Sequence, residues 1–212
     1  MKKIVVLLSG NGSNLQAIMD ACQAGEINGE IVCVISNKAQ AYGLTRAEKA
    51  QIPTALFERK DYASNVEMDQ AIATHIEQLG ADLVVLAGYM KILSPEFTHR
   101  FAGKILNIHP SLLPKYKGLN TYQQALDAGD SEHGTSVHFV TAELDSGAII
   151  LQAKVPIFPE DEIADIEERV KAQEAQIYPL VVKWFAAERL KEVDGKAYLD
   201  GELLPENGYA NE

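Results

Sequence analysis

Between residues 3 and 108, short apolar runs alternate with amphipathic segments, and no other feature of this chain restricts its fold as strongly. Lys3–Leu8 (KIVVLL), Glu30–Ser36 (EIVCVIS), Pro53–Phe57, Asp82–Ala87 (DLVVLA) and Gly103–Ile108 are apolar on both sides and too short for core helices. The intervening segments carry helical spacing: Asn14–Ala24, with Leu15, Ile18, Met19 and Cys22 on one side, then Tyr42–Ala50, Asn65–Leu79 and Pro95–Phe101. Strands buried on both faces, with helices between them, predict a mainly parallel sheet covered on both sides. The expectation is an α/β, Rossmann-like architecture with right-handed crossovers. Ligands then belong outside the carboxyl ends of the strands, in the loops after Leu8, Ala87 and Ile108.

Beyond about residue 119 the pattern changes. Thr121–Ala128 reads as a helix, and Gly134–Val140 and Ala148–Val155 as strands. The turn Asp145–Ser146–Gly147 joins them, which predicts an antiparallel hairpin extending the sheet in the C-terminal half. A long helix follows, from about Glu162 to Glu188, with a kink expected at Pro179. Two strand-like pieces flank Asp194–Gly195, and Pro205–Glu212 reads as loose. A length of 212 residues suits one domain, residues 1–212, with halves 1–118 and 119–212.

A formal net charge of −11 argues against nucleic acid as a partner. The apolar run at the N-terminus ends after Leu8, and no stretch reaches membrane-spanning length, so the cytoplasm is the expected location. The two cysteines, Cys22 and Cys33, have no zinc-ligand spacing to a histidine. HxxxH and HExxH are missing too, and no metal is expected.

Three motifs carry chemistry. "SGNGSNLQA", Ser9–Ala17, joins the first strand to the first helix. Gly10 and Gly12 permit close backbone approach, Ser13 or Asn14 can cap the helix, and the helix start favours an anion such as phosphate. The turn is neither GxGxxG nor a Walker A loop, so it can also be an ordinary tight turn. "NIHP" ends the fifth strand: Asn107 and His109, two apart, share a face, and Pro110 holds His109 extended. An amide and an imidazolium suit a developing oxyanion, and the imidazolium calls for a carboxylate, for which Asp145 is the candidate. His138 alternates within a strand and can line the same cleft, with a purely structural role as the alternative. On the long helix, Glu174 falls on the apolar stripe of Val170 and Ile177. It either meets a sugar hydroxyl at the cleft or pairs with a core arginine or lysine.

"SGNGSNLQA", "LAGYMKILS", "NIHPSLLPKYKG", "HGTSVHFV", "ELDSG" and "QEAQIYPLV" together resemble the folate-dependent phosphoribosylglycinamide formyltransferases of purine synthesis. The likeness runs from Ile4 to about Tyr209. The segments around Asn107, His109 and Asp145 are similar in other 10-formyltetrahydrofolate enzymes as well. The resemblance implies a single formyltransferase domain and transfer of a formyl group from 10-formyltetrahydrofolate, the co-substrate, to the amine of glycinamide ribonucleotide. It implies Asn107, His109 and Asp145 as the catalytic trio. Gly12, Ser13 and Asn14 would hold the ribonucleotide phosphate, and Glu174 its ribose. Met90, Lys91, Ile92 and Leu93 would border the folate, with backbone contacts from Thr141, Ala142, Glu143, Leu144 and Asp145. The expected assembly is a monomer or weak homodimer. The chain departs from the family pattern at Asn65, where an arginine is expected, and at LNTYQQ after Gly118. A formyltetrahydrofolate hydrolase and a non-catalytic nucleotide-binding module are the alternative readings.

Overall fold

In the computed structural model, which describes residues 1–209, seven strands form one sheet in the order β3-β2-β1-β4-β5-β6-β7. These are β1 (Lys2–Leu8), β2 (Gly29–Ser36), β3 (Thr54–Leu56), β4 (Leu83–Leu86), β5 (Ile105–His109), β6 (Glu132–Phe139) and β7 (Ile149–Pro156). The five N-terminal strands are parallel, β6 runs antiparallel to β5, and β7 antiparallel to β6. Helices α1 (Ser13–Gln23), α2 (Tyr42–Lys49), α3 (Asn65–Gln78), α4 (Pro95–Arg100), α5 (Thr121–Asp127) and α6 (Ile163–Ala186) surround it. A small antiparallel sheet of β8 (Leu190–Val193), β9 (Lys196–Leu199) and β10 (Glu202–Leu203) follows α6.

Strand alternation sorts the core into two layers. Ile4, Val6, Leu8, Val85, Leu106, Ile108, Val137 and Phe139 pack with Leu15 and Ile18 of α1 and Tyr178, Val181 and Val182 of α6. Val5, Leu7, Ile35, Val84, Leu86 and Ile105 pack on the other face with Met68, Ile72 and Ile76 of α3 and Phe97 of α4. Each such side chain contributes about 1.5–3 kcal/mol when fully buried. The chain leaves β1 towards β2 on one side and returns to β4 on the other, so a crevice opens between the carboxyl ends of β1 and β4. Ser9 bridges that crevice. Its N–H donates to Gly88 O (3.0 Å), while its Oγ accepts from Met90 N (2.8 Å) and donates to Asn37 Oδ1 (2.6 Å).

Helix α6 runs unbroken through Pro179 and starts in a reciprocal cap between Glu162 and Asp165. One turn into its second half the buried Tyr178 hydroxyl lies between two strand carbonyls, Leu86 O (2.7 Å) and Leu106 O (3.1 Å). The β6–β7 ladder is irregular: Val137 pairs with Leu151 but His138 pairs with Ile149, leaving Ile150 as an extra residue. The carbonyl of Ile150 accepts from Tyr209 N (2.7 Å), and the Tyr209 ring meets Trp184 edge-on at 5.4 Å. The segment from Pro205 to Tyr209, expected to be loose, is therefore pinned to β7. The remaining residues of that expectation, 210–212, lie outside the described part. Strand β10 was not expected at all: it is two exposed residues long and has no apolar pattern to reveal it.

Candidate active site

The turn after β1 places Gly12 at the start of α1 with φ 80°, in the left-handed region. A Cβ there would stand 2.7 Å from Gly43 Cα, so both backbone conformation and space demand glycine. Ser13 and Asn14 do not cap α1, contrary to the expectation. The N-cap is Gly12, no side chain accepts from the first turn, and no acidic residue stands there. The Asn14 side chain instead favours the ionised form of Glu174. The first-turn N–H groups are thus left to face outward with the helix dipole behind them. Arg46 braces the turn from α2, donating to Asn11 O (2.8 Å) and Asn11 Oδ1 (2.7 Å).

Glu174 is buried in α6 and accepts from Thr135 Oγ1 (2.9 Å), and the Asn14 amide also favours its charge. Its partners are a hydroxyl and an amide rather than a core cation. Burial pushes its carboxyl above the ordinary carboxylate value, against the Thr135 and Asn14 side chains and the nearby Lys171. Thr135 Oγ1 also lies 3.0 Å from the carbonyl of His109, so one hydroxyl hydrogen is shared between Glu174 and β5.

Asn107 and His109 occupy the face of β5 opposite Ile108, whose side chain is in the α1/α6 layer. His109 is buried, with Nδ1 3.6 Å from Asp145 Oδ2 and Nε2 2.8 Å from the carbonyl of Tyr116. A carbonyl only accepts, so Nε2 carries a hydrogen and Nδ1 is the nitrogen left for other work. Asp145 Oδ2 is fixed by the N–H of Gly118 at 2.9 Å. The nine-residue connection between β6 and β7 starts at Val140, whose N–H bonds Ile105 O (3.0 Å), and carries Asp145 back to His109. Asp145 itself takes φ 49°. Two residues later a Cβ on Gly147 would overlap Phe139 O at 1.7 Å, so only glycine closes this connection. Asn107 Nδ2 lies 3.4 Å from Nε2 of His138, directly across the β5–β6 ladder.

Of the residues expected to border a folate, Met90 and Ile92 are exposed and Leu93 is buried under α3 and α4. Lys91 Nζ donates to Asn65 Oδ1, so the residue found in place of an arginine meets this loop. Thr141, Ala142, Glu143 and Leu144 are half-buried or exposed on the connection that carries Asp145. The phosphate-type turn and Glu174 lie on the α1/α6 side of the sheet, and Asn107 and His109 face the α3/α4 side. The two sets meet at the end of β5 through Thr135.

Sequence reasoning missed Tyr116, Thr135 and Lys171. Tyr116 acts through its carbonyl, which any residue possesses, and Thr135 looks like an ordinary strand residue. Lys171 stands one turn before Glu174, and that i, i+3 spacing was the available signal. Among the described residues no three His, Cys, Asp or Glu side chains converge to hold a metal ion, and no helix is long and apolar enough to cross a membrane.

The chain is similar to known proteins over its length. The family model described as formyl transferase matches residues 2–182. A phosphoribosylglycinamide formyltransferase of Haemophilus influenzae is 66% identical over 212 residues, covering 100% of both chains. One of Escherichia coli is 56% identical over 207 residues, covering 98% of each. The solved structure of a phosphoribosylglycinamide formyltransferase from Coxiella burnetii superposes with a TM-score of 0.94 at 47% identity, covering 98% of each chain. This chain belongs to the formyl transferase family, among its phosphoribosylglycinamide formyltransferases.

Proposed function

We propose that this chain, as one formyltransferase domain, moves the formyl group of 10-formyltetrahydrofolate onto the amine of glycinamide ribonucleotide in purine biosynthesis. The observation that supports the reading is His109 set 3.6 Å from Asp145 with Asn107 on the same face of β5, and on the other side of the sheet an uncapped, glycine-started helix linked to β5 through Glu174 and Thr135. The backbone N–H groups of Gly12, Ser13 and Asn14 at the start of α1 suit a phosphate, and Glu174 suits the ribose hydroxyls. The loops Met90–Leu93 and Thr141–Leu144 suit the folate on the α3/α4 side.

The substrate amine is the nucleophile, so the protein supplies none. Its nitrogen bonds to the formyl carbon, and the formyl oxygen takes the negative charge. The Asn107 amide and the imidazolium of His109, through Nδ1, stabilise that oxyanion. Asp145, 3.6 Å from Nδ1, balances the imidazolium charge and helps carry a proton from the attacking nitrogen to the folate N10. The bond from carbon to N10 then breaks, releasing tetrahydrofolate and the formylated ribonucleotide.

The test is purified protein with 10-formyltetrahydrofolate, with and without glycinamide ribonucleotide, followed by folate absorbance. Tetrahydrofolate release that needs the ribonucleotide is the expected result. Equal release without it would make the protein a hydrolase, and no release in either case would leave a binding module.

A further inference from the structure

One buried histidine has no part in the chemistry above, yet it touches Asn107. His138 faces Asn107 across the β5–β6 ladder, on the side of the sheet away from α1 and α6. The irregularity that makes Ile150 an extra residue begins at His138 and re-aims the strand there. The ring's Nδ1 stands 2.8 Å from the carbonyl of Phe139. A carbonyl cannot donate, so Nδ1 carries the hydrogen. Burial lowers the ring's value from the ordinary imidazole one, against the hydrogen bond to Phe139 O and the charge of Asp145 and with His109 adding to it, which favours the neutral ring. A neutral ring with hydrogen on Nδ1 presents a bare lone pair at Nε2. That lone pair lies 3.4 Å from the Asn107 amide.

A carboxamide has a donating end and an accepting end, which differ little in shape. Opposite a lone pair, the accepting end would be repelled and the donating end held. We propose that His138 is a positioning residue: its Nε2 lone pair keeps the NH2 end of Asn107 in the site, so that the second hydrogen of that nitrogen is offered to the formyl oxygen. The reverse orientation would put an acceptor where negative charge develops. The proposal rests on the formyl-transfer reading and assigns its oxyanion donor a keeper.

His138→Leu keeps comparable bulk and removes the acceptor. Its kcat falls by roughly tenfold to a hundredfold, as expected for losing a hydrogen bond that orients a reacting group. KM for both substrates changes little. His138→Gln, whose side-chain oxygen can take the place of Nε2, recovers part of the loss. The decisive readout is a double-mutant cycle. Asn107→Ala costs far less in the His138→Leu background than in the wild type, whereas full additivity overturns the proposal. Nitrogen NMR of the His138 ring in the unaltered protein reads the same claim without any variant. A hydrogen on Nδ1 and none on Nε2 supports it, and a hydrogen on Nε2 overturns it even if His138→Leu fails to fold. Failure of the parent reading looks different: the wild type then forms no formylated ribonucleotide, or Asn107→Ala is fully active, whichever tautomer His138 holds.

Discussion

The ring of His109 is gripped from its far side by Tyr116, whose carbonyl oxygen lies 2.8 Å from Nε2. Tyr116 is in turn tied by its hydroxyl to Asp130 at 2.5 Å. The ring therefore cannot rotate freely, and Nδ1 stays beside Asp145. His109→Ala and Asn107→Ala are each expected to lower kcat by about 10²–10³, the cost of losing one oxyanion donor. Thermal melts should show that both variants remain folded. Near-normal turnover in either would remove it from the mechanism.

Gly12→Ala is expected to weaken the ribonucleotide site. The substitution forces an alanine into a left-handed conformation and drives its Cβ to 2.7 Å from Gly43 Cα. Left-handed strain alone costs roughly 1–2 kcal/mol. The α1–α2 contact must also open, which moves the first-turn N–H groups. KM for glycinamide ribonucleotide should rise while KM for the folate stays nearly constant. Equal effects on both would contradict a phosphate role for the turn.

Glu174 links stability to pH with a sign opposite to that of an ordinary paired carboxylate. Burial raises its value in the folded state, so ionising it is harder folded than unfolded. Its contribution to stability is whole below the unfolded carboxylate value and is lost as pH rises through the raised one. Glu174→Gln removes that slope. Denaturant unfolding should find the variant gaining on the wild type as pH rises from acid to neutral, while its affinity for the ribonucleotide falls. A variant less stable than the wild type throughout would show that the ionised carboxylate is well satisfied by Thr135 and Asn14.

Tyr178→Phe strips the hydroxyl that serves both Leu86 O and Leu106 O. Leaving buried carbonyls without it should cost about 1–3 kcal/mol. The loss should appear in denaturant midpoints at unchanged m-value. Activity should also fall, because the Leu106 carbonyl immediately precedes Asn107. A fully stable variant would mean that those carbonyls are satisfied by the strand ladder alone.

The parallel half of the sheet was legible because β1, β2 and β4 are apolar on both faces, a pattern that few other structures satisfy. The pairing of Asn107 with His109 followed from strand alternation and from Pro110, both local rules. The reach of Asp145 to His109 was a guess about chemistry, since a nine-residue connection can lead in many directions. What selects its path is the left-handed Asp145 and the lack of room at Gly147, neither of which has a sequence period. The contact between His138 and Asn107 depends on the register of β6 against β5, and register between strands distant in sequence is set by the whole core. The anchoring of Tyr209 was hidden for a related reason: Pro, Glu, Asn and Gly suggest a tail, and its partner is a bulge more than fifty residues away.

The strand β7 is the last in the sheet, and an open margin of that kind invites another polypeptide to add itself as an eighth strand. Tyr209 bonds to the spare carbonyl of Ile150 and forms a bridge with Leu151. It occupies the start of that margin, at Ile150 and Leu151, where an added strand would otherwise begin its pairing.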